Sequence, residues 1–203
     1  DYYDVKFPSK GAKHIAFEMG GEVHLMDYAT ESVKKINIKV QDDFPSARQR
    51  IEDVSDEISG GTVSPEGDWT VFSARGDIFV VSKEKGITRN LTNSSDAHDR
   101  DPDWSPDGKW IAYVSDASGE YEIHLVKPDG SEHKQLTKDF ESYRYALDWS
   151  PDSKKILTSD KSMKLFYYDV PSGSRHEVAK SSRWEIRDYN WSPDSKWIAY
   201  TDY

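Results

Sequence analysis

The sequence has no cysteine and no long hydrophobic run. Without thiols the chain can form neither a disulfide framework nor a thiolate metal site, so its compartment stays open between cytoplasm and periplasm. No apolar stretch reaches the roughly 20 residues that a membrane-spanning helix needs. We therefore expect a soluble chain without a membrane span.

Positive charge is also scarce. The chain carries 27 basic against 37 acidic residues, a formal net charge of −10, and contains no run of lysine or arginine. This surplus of negative charge would repel a polyanion such as nucleic acid, and equally an anionic membrane surface. The composition therefore predicts that the chain binds no nucleic acid.

Motifs for catalysis and cofactor binding are missing as well. The sequence contains no Gly-x-Ser-x-Gly elbow, no glycine-rich phosphate loop and no histidines at metal-ligand spacing. Asp96, Asp99, Asp101 and Asp103 superficially resemble a calcium-binding loop, but the closing glutamate is absent, which favours a solvated acidic loop. We therefore predict no catalytic residue, no cofactor and no metal site in this chain.

The chain is rich instead in aromatic side chains and in one repeated turn motif. Aromatic residues make up 13% of the sequence, with seven tryptophans and twelve tyrosines, and such residues favour β-strands. A large apolar residue followed by Ser-Pro-Asp-Gly, or by a variant of it, recurs at 7–11, 63–67, 104–108, 149–153 and 191–195. From the second copy onward the motif serines are 41, 45 and 42 residues apart, a period typical of one four-stranded propeller blade.

The repeat predicts the fold. Proline presets the turn, aspartate bonds the backbone ahead of it and glycine accepts a positive φ, so each motif joins two strands. A β-sandwich is the alternative, but it needs no identical turn at fixed spacing. We predict an all-β fold: a β-propeller with four complete four-stranded blades and half of a fifth, a fragment of a six- or seven-bladed ring. One partial propeller domain is expected over 1–203, with a surface excursion at 37–60 and blades at roughly 5–40, 60–92, 101–137, 146–180 and 188–203.

Several segments resemble known propeller proteins. The stretch 104–113 resembles the blades of TolB and of the propeller peptidases. The stretches 74–79, 84–92, 118–122 and 184–189 resemble the propeller region of tricorn-type serine peptidases, and the second, seven-bladed propeller more than the first. This resemblance implies a large peptidase whose propellers form a passage beside the active site, followed by a PDZ domain and by catalytic domains with a serine nucleophile. None of those later parts lies in this chain, so no catalytic residue is carried over.

One group of residues is a candidate binding site. In a propeller, the loops that lead into the innermost strands and the hairpins between second and third strands emerge on the same face. Arg100, Tyr145 and Arg187 each lie five residues before a motif serine, so they are expected at equivalent positions around the axis. Guanidinium groups and rings around a pore could hold the carboxylates and planar groups of a peptide. The alternative is that these side chains only pair with local acids such as Glu141, Glu185 and Asp188. The candidate substrate-binding residues are Arg75, His98, Arg100, Arg144, Tyr145, Arg183, Trp184 and Arg187.

These observations favour a function without catalysis in the chain itself. We expect a propeller segment that shapes or filters peptide access in a tricorn-like serine peptidase, with a TolB-like protein-interaction scaffold as the alternative. A catalytic propeller with an axial site is the weakest reading, because no acid/base or metal cluster is found. The expected partners are peptides or unfolded polypeptide, the remaining blades and catalytic domains of the parent chain, and further copies in an oligomeric parent.

Overall fold

The computed structural model describes residues 3–39, 41, 51, 53–84, 86, 88–139 and 141–202. The described residues form antiparallel β-sheets and one short 3-10 turn at Ser55–Glu57, as the all-β prediction requires. The chain divides into two compact units, Asp1–Ile51 and Glu52–Tyr203. Residues 40, 42–50 and 52 of the predicted surface excursion lie outside the described residues. That 1–203 forms one domain stays a prediction.

The first unit contains one four-stranded sheet. Its strands follow each other in space as they do in sequence, and Gly20 and Gly21 turn the second strand into the third with φ of 62° and 76°. Glycine adopts a positive φ at no steric cost, and a two-residue turn with a positive φ at both positions matches the twist of the flanking strands. The strands are β1 (Val5–Lys10), β2 (His14–Met19), β3 (Glu22–Asp27) and β4 (Val33–Lys35).

The second unit contains three four-stranded sheets and a two-stranded one, each with its strands in sequence order. The second sheet of the chain comprises β5 (Ile58–Val63), β6 (Trp69–Ala74), β7 (Asp77–Ser82) and β8 (Arg89–Asn90). The third comprises β9 (Arg100–Trp104), β10 (Ile111–Ser115), β11 (Glu122–Val126) and β12 (His133–Gln135). The fourth comprises β13 (Asp148–Trp149), β14 (Lys155–Ser159), β15 (Lys164–Asp169) and β16 (Arg175–Lys180). The last pairs β17 (Tyr189–Trp191) with β18 (Ile198–Tyr200).

In the second unit the repeated motif forms the turn between the first two strands of each sheet, whereas in the first unit residues 7–10 of the motif lie within β1 and only Gly11 falls in the turn. In the third sheet the Ser105 hydroxyl accepts a hydrogen bond from the amide of Trp110 (2.9 Å) and donates one to Asp107 (2.8 Å). The last motif residue has a positive φ in every copy of this unit, 70° at Gly108 but 59° at Ser153. A positive φ strains a serine backbone more than a glycine backbone. The Ser153 hydroxyl offsets part of this strain by accepting a hydrogen bond from the amide of Asp107 in the third sheet (3.0 Å).

Apolar side chains pack face to face between neighbouring sheets of the second unit. The motif tryptophans mark the three layers: Trp104 lies between the second and third sheets, Trp149 between the third and fourth, and Trp191 between the fourth and the last. All three are buried, with exposed fractions of 7%, 4% and 8%. The repeat therefore places equivalent rings at equivalent depths, and the loops at one edge of these sheets carry the candidate site.

Candidate functional site

Four aromatic rings lie in a row across the loops of the third and fourth sheets. His98 precedes β9, Tyr121 precedes β11, and Tyr143 and Tyr145 precede β13. The ring centroids of His98 and Tyr121 are 6.2 Å apart, those of Tyr121 and Tyr143 5.8 Å, and those of Tyr143 and Tyr145 5.5 Å. All three pairs meet edge to face, the geometry that aromatic quadrupoles prefer. We call these four residues the aromatic ladder.

Arg100 stacks against two rings of the ladder. Its guanidinium lies 4.8 Å from the ring centroid of Tyr121 and 4.3 Å from that of Tyr143. It donates a hydrogen bond to the backbone oxygen of Arg144 (3.0 Å) and forms an ion pair with Asp101. Because only 8% of the residue is exposed, the charge of Arg100 interacts with protein groups rather than with solvent, and the solvent-facing part of the site consists of the rings.

Arg187 covers the far end of the ladder. Its guanidinium lies 3.5 Å from the ring centroid of Tyr145, and Nη2 donates to Glu185 at 2.8 Å. The hydrogen bond from Arg187 and one from Tyr145 lower the pKa of Glu185, so this carboxylate stays ionised and holds both side chains. Burial and the bond to Glu185 raise the pKa of Tyr145. The pairing of Arg187 with Glu185 is the one anticipated from the sequence.

Arg144 lies inside the protein, with 2% of the residue exposed. Its guanidinium donates to the hydroxyl of Tyr168 (2.6 Å), to Glu122 (3.1 Å) and to Asp139 (3.0 Å). Burial opposes its charge, but these partners outweigh that effect and raise the pKa of Arg144. Arg144 thus joins the third and fourth sheets and fixes the backbone between the two ladder tyrosines on either side of it. It is a positioning residue.

Arg75 lies at the hairpin between β6 and β7 and pairs with Glu57 at 3.6 Å. The next residue, Gly76, accepts a hydrogen bond from the amide of Asp99 (2.8 Å). A Cβ at Gly76 would lie 3.3 Å from the ring of His98, and its φ is 85°. Glycine therefore lets this hairpin approach His98 at the start of the ladder, and Arg75 lies beside the ladder.

Arg183 and Trp184 form a separate feature beyond the ladder. Trp184 is 66% exposed, and with Arg183, Arg187 and Asp188 it lines a shallow pocket of about 370 Å³. The structure thus brings His98, Arg100, Tyr145 and Arg187 into one row, buries Arg144 behind it, and places Arg75 and this pocket at its margins.

Neither a candidate metal cluster nor a long apolar helix occurs in the described part of the chain. No three His, Cys, Asp or Glu side chains there come close enough together to hold a metal ion. No helix in those residues is long and apolar enough to cross a membrane.

The profile of the family described as "Tricorn protease second beta propeller domain" matches residues 58–203. This range covers the whole ladder and the pocket. The chain belongs to this tricorn propeller family. The resemblance to the second tricorn propeller is thereby confirmed.

Two curated relatives align along nearly the whole tricorn-type domain. The "Tricorn protease homolog" of Saccharolobus solfataricus is 28% identical over 200 residues, which cover 98% of this chain and 18% of the relative. The "Putative Tricorn-like protease C-terminal subunit" of Sulfurisphaera tokodaii is 25% identical over 201 residues, 99% of this chain and 23% of the relative. The chain therefore spans less than a quarter of the length of either relative.

Solved structures confirm the propeller fold of the tricorn-type domain. A crystal structure of the tricorn protease superposes with a TM-score of 0.65 at 17% identity, over 98% of this chain and 19% of that one. TolB from Acinetobacter baumannii superposes with a TM-score of 0.54 at 20% identity, over 97% of this chain and 48% of that one. At these identities the likeness concerns the fold alone.

Four residues of the site are absent from the candidate residues given above: Tyr121, Tyr143, Asp139 and Tyr168. Tyr121 follows the hairpin Ser118-Gly119-Glu120, so the rule that selected Arg75 would also have selected it. Asp139 and Tyr168 are joined by a hydrogen bond of 2.7 Å between residues 29 positions apart. No local pattern signals such a pair, because it arises only when two sheets pack.

Proposed function

We propose that this domain is a non-catalytic propeller segment that shapes or filters the access of peptides to the active site of a tricorn-like serine peptidase. The observation that carries the proposal is the aromatic ladder together with the guanidinium planes of Arg100 and Arg187 that stack on its rings. Such surfaces bind the planar groups of an extended chain at low cost in side-chain entropy.

The two guanidiniums that stack on the ladder already have acidic partners, which supports passage of a peptide rather than its tight binding. Arg100 pairs with Asp101, and Arg187 pairs with Glu185. A guanidinium that is already paired adds little net attraction for a substrate carboxylate, so the ladder offers weak and sequence-tolerant contacts. Weak contacts let a polypeptide slide onward instead of remaining bound.

The names of the relatives support the proposed parent, a tricorn-like serine peptidase. The proposed partners are unfolded polypeptide, the remaining blades, the catalytic domains and further copies of the parent. The TolB-like scaffold differs in its ligand, since it would dock a folded protein surface rather than an extended peptide.

Binding of a labelled unfolded peptide to the chain tests the proposal. Tyr143 is 40% exposed in the ladder, and Tyr28 is 38% exposed in the first unit, so Tyr28→Ala is a matched control for Tyr143→Ala. We expect Tyr143→Ala to weaken peptide binding about fivefold, measured by fluorescence anisotropy, with thermal unfolding to check folding. Equal affinities for the two variants, or no binding of any unfolded peptide, would contradict the proposal.

A second measurement separates access from chemistry. In a parent peptidase that contains this domain, Tyr143→Ala should change kcat/KM for long unfolded peptides and leave that for dipeptide and tripeptide substrates unchanged. Equal changes for long and short substrates would assign the residue to some other role.

A further inference from the structure

The loop between β16 and β17 exposes Trp184 to solvent and is anchored to the protein on both sides of this residue. Ser181 is buried, and its amide donates to the backbone oxygen of Met163 (2.9 Å). Ile186, 1% exposed, packs into the apolar layer that also contains Trp191. Because the loop is fixed on both sides of Trp184, the exposed indole is presented by the fold.

The pocket beside this indole differs from the ladder in its charge. Arg75, Arg100, Arg144 and Arg187 all pair with carboxylates. Arg183 forms no ion pair with any residue that the structure describes; only its backbone amide is engaged, with the hydroxyl of Ser181. Among the candidate arginines of the described chain, it is the one whose charge is available to a ligand.

The geometry points to a ligand of defined chemistry. We propose that the pocket lined by Arg183, Trp184, Arg187 and Asp188 binds an aromatic side chain adjacent to a carboxylate in an extended peptide. The ring stacks against the indole of Trp184 and the guanidinium of Arg187, and the carboxylate pairs with Arg183. This inference rests on the proposed peptide-binding function and names a class of peptide for one end of the surface.

Three properties of the pocket support this assignment. Its volume of about 370 Å³ is large enough to hold one large aromatic side chain. The guanidinium of Arg187 is already oriented by Tyr145 and Glu185, so a ligand ring that stacks on it causes little further loss of side-chain entropy. Asp188 also lines the pocket, so a second carboxylate on the ligand is disfavoured.

The test uses the whole chain and four blocked hexapeptides that differ at two positions. The parent probe is acetyl-Gly-Gly-Phe-Asp-Gly-Gly-amide, and its partners replace phenylalanine by alanine, aspartate by asparagine, or both. We expect each replacement to weaken binding roughly five- to tenfold by isothermal titration calorimetry. A further probe, acetyl-Gly-Gly-Gly-Phe with a free carboxylate, shows whether a chain end serves as well as an acidic side chain. Binding of either carboxylate source supports the proposal.

Two variants and two controls assign the contacts. Trp184→Ala should weaken the parent probe about tenfold, whereas Trp197→Ala should not, although Trp197 is 74% exposed. Arg183→Gln should weaken the aspartate probe and leave the asparagine probe unchanged, with Lys196→Gln as its control. Equal effects of Trp184→Ala and Trp197→Ala, or equal effects of Arg183→Gln on both probes, would overturn the proposal.

The outcome also separates this inference from the proposed function. If the four probes bind alike while Tyr143→Ala still weakens a longer unfolded peptide, the pocket assignment is wrong and the ladder keeps its role. If no peptide binds at all, both are wrong.

Discussion

Asp103 and Asp148 occupy the same place in successive repeats, one residue before the motif tryptophan. The backbone amide of Trp149 interacts favourably with the carboxylate of Asp103, and that of Trp191 with the carboxylate of Asp148. These acids therefore join neighbouring sheets, but at an electrostatic cost. Burial and then the charge of Asp148 raise the pKa of Asp103 to about 6, and burial raises the pKa of Asp148. The last repeat has Asn190 at this place, an acceptor without a charge.

The raised pKa of Asp103 gives a pH dependence of known sign. The folded protein binds the proton more tightly than the unfolded chain, so stability should fall as the pH rises from about 4 to about 6 and stay level above. Asp103→Asn has no charge to bury and should remove this slope, raising the free energy of unfolding at pH 7 by about 3 kcal/mol. Urea unfolding across that pH range measures it.

A control carboxylate should behave in the opposite way. The hydroxyl and amide of Ser131 lower the pKa of Asp129, which is fully exposed. Its contribution is present at neutral pH and lost on acidification, so Asp129→Asn should lower stability at pH 7. A steeper slope between pH 4 and 6 for Asp103→Asn would contradict the assignment of Asp103.

At the scale of the sheets, the motif tryptophans are buried to a similar extent, but their indole nitrogens differ in hydrogen bonding. The indole nitrogen of Trp149 donates to the backbone oxygen of Asp103 (3.2 Å), and that of Trp191 donates to Asp148 (3.2 Å). The indole nitrogen of Trp104 is buried and has no hydrogen-bond partner within the described residues. Two of the three sheet contacts are therefore reinforced by a polar link that the repeat pattern does not reveal.

This difference predicts unequal costs for the same substitution. Replacing any of the three tryptophans by alanine should cost about 3–5 kcal/mol, because each leaves a large cavity between sheets. Tryptophan to phenylalanine should cost about 1 kcal/mol more at Trp149 than at Trp104, since only Trp149 loses a hydrogen bond and leaves a buried carbonyl without it. Chemical denaturation of both variants gives the comparison. A larger loss at Trp104 would show that the indole geometry, not the bond, decides the cost.

The junction of the third and fourth sheets depends on the ions around Arg144. Removing this guanidinium breaks the ion pair with Glu122, whose carboxylate stays buried and also accepts the Thr137 hydroxyl. We expect Arg144→Met to cost about 3–5 kcal/mol, and the double variant Arg144→Met, Glu122→Gln to recover part of that loss. A thermodynamic cycle of the two single variants and the double variant measures the coupling. Additive losses would mean that the pair contributes no specific stability.

The sheets were predictable because each repeat carries its own turn, hydrophobic residue and strand pattern. Side-chain partners were less predictable. Arg100 and Arg187 lie at equivalent sequence positions, yet one is buried between rings and the other is exposed over Tyr145. Arg144 was expected at the surface of the site and lies behind it. Such differences come from contacts between residues of separate sheets, which no local pattern encodes.

At the scale of the whole molecule, a strongly acidic chain presents a surface of rings whose arginines are already paired. The formal net charge is −10, and the two guanidiniums that stack on the ladder are paired with Asp101 and Glu185. Attraction to a neutral, aromatic-rich peptide should therefore come from stacking and burial, which salt does not screen.

This balance predicts how peptide binding responds to ionic strength. The affinity for a neutral aromatic-rich peptide should change less than about twofold between about 50 mM and 500 mM sodium chloride, because the contacts are not charge-driven. A peptide with several acidic residues should bind more tightly as salt rises, since screening relieves its repulsion by the acidic chain, and a lysine-rich peptide should bind less tightly. Fluorescence anisotropy titrations of the three peptides, repeated with Tyr143→Ala, measure both the slope and its dependence on the ladder. A steep loss of affinity with salt for the neutral peptide would mean that the arginines bind through their charge, and that the ion pairs with Asp101 and Glu185 yield to the ligand.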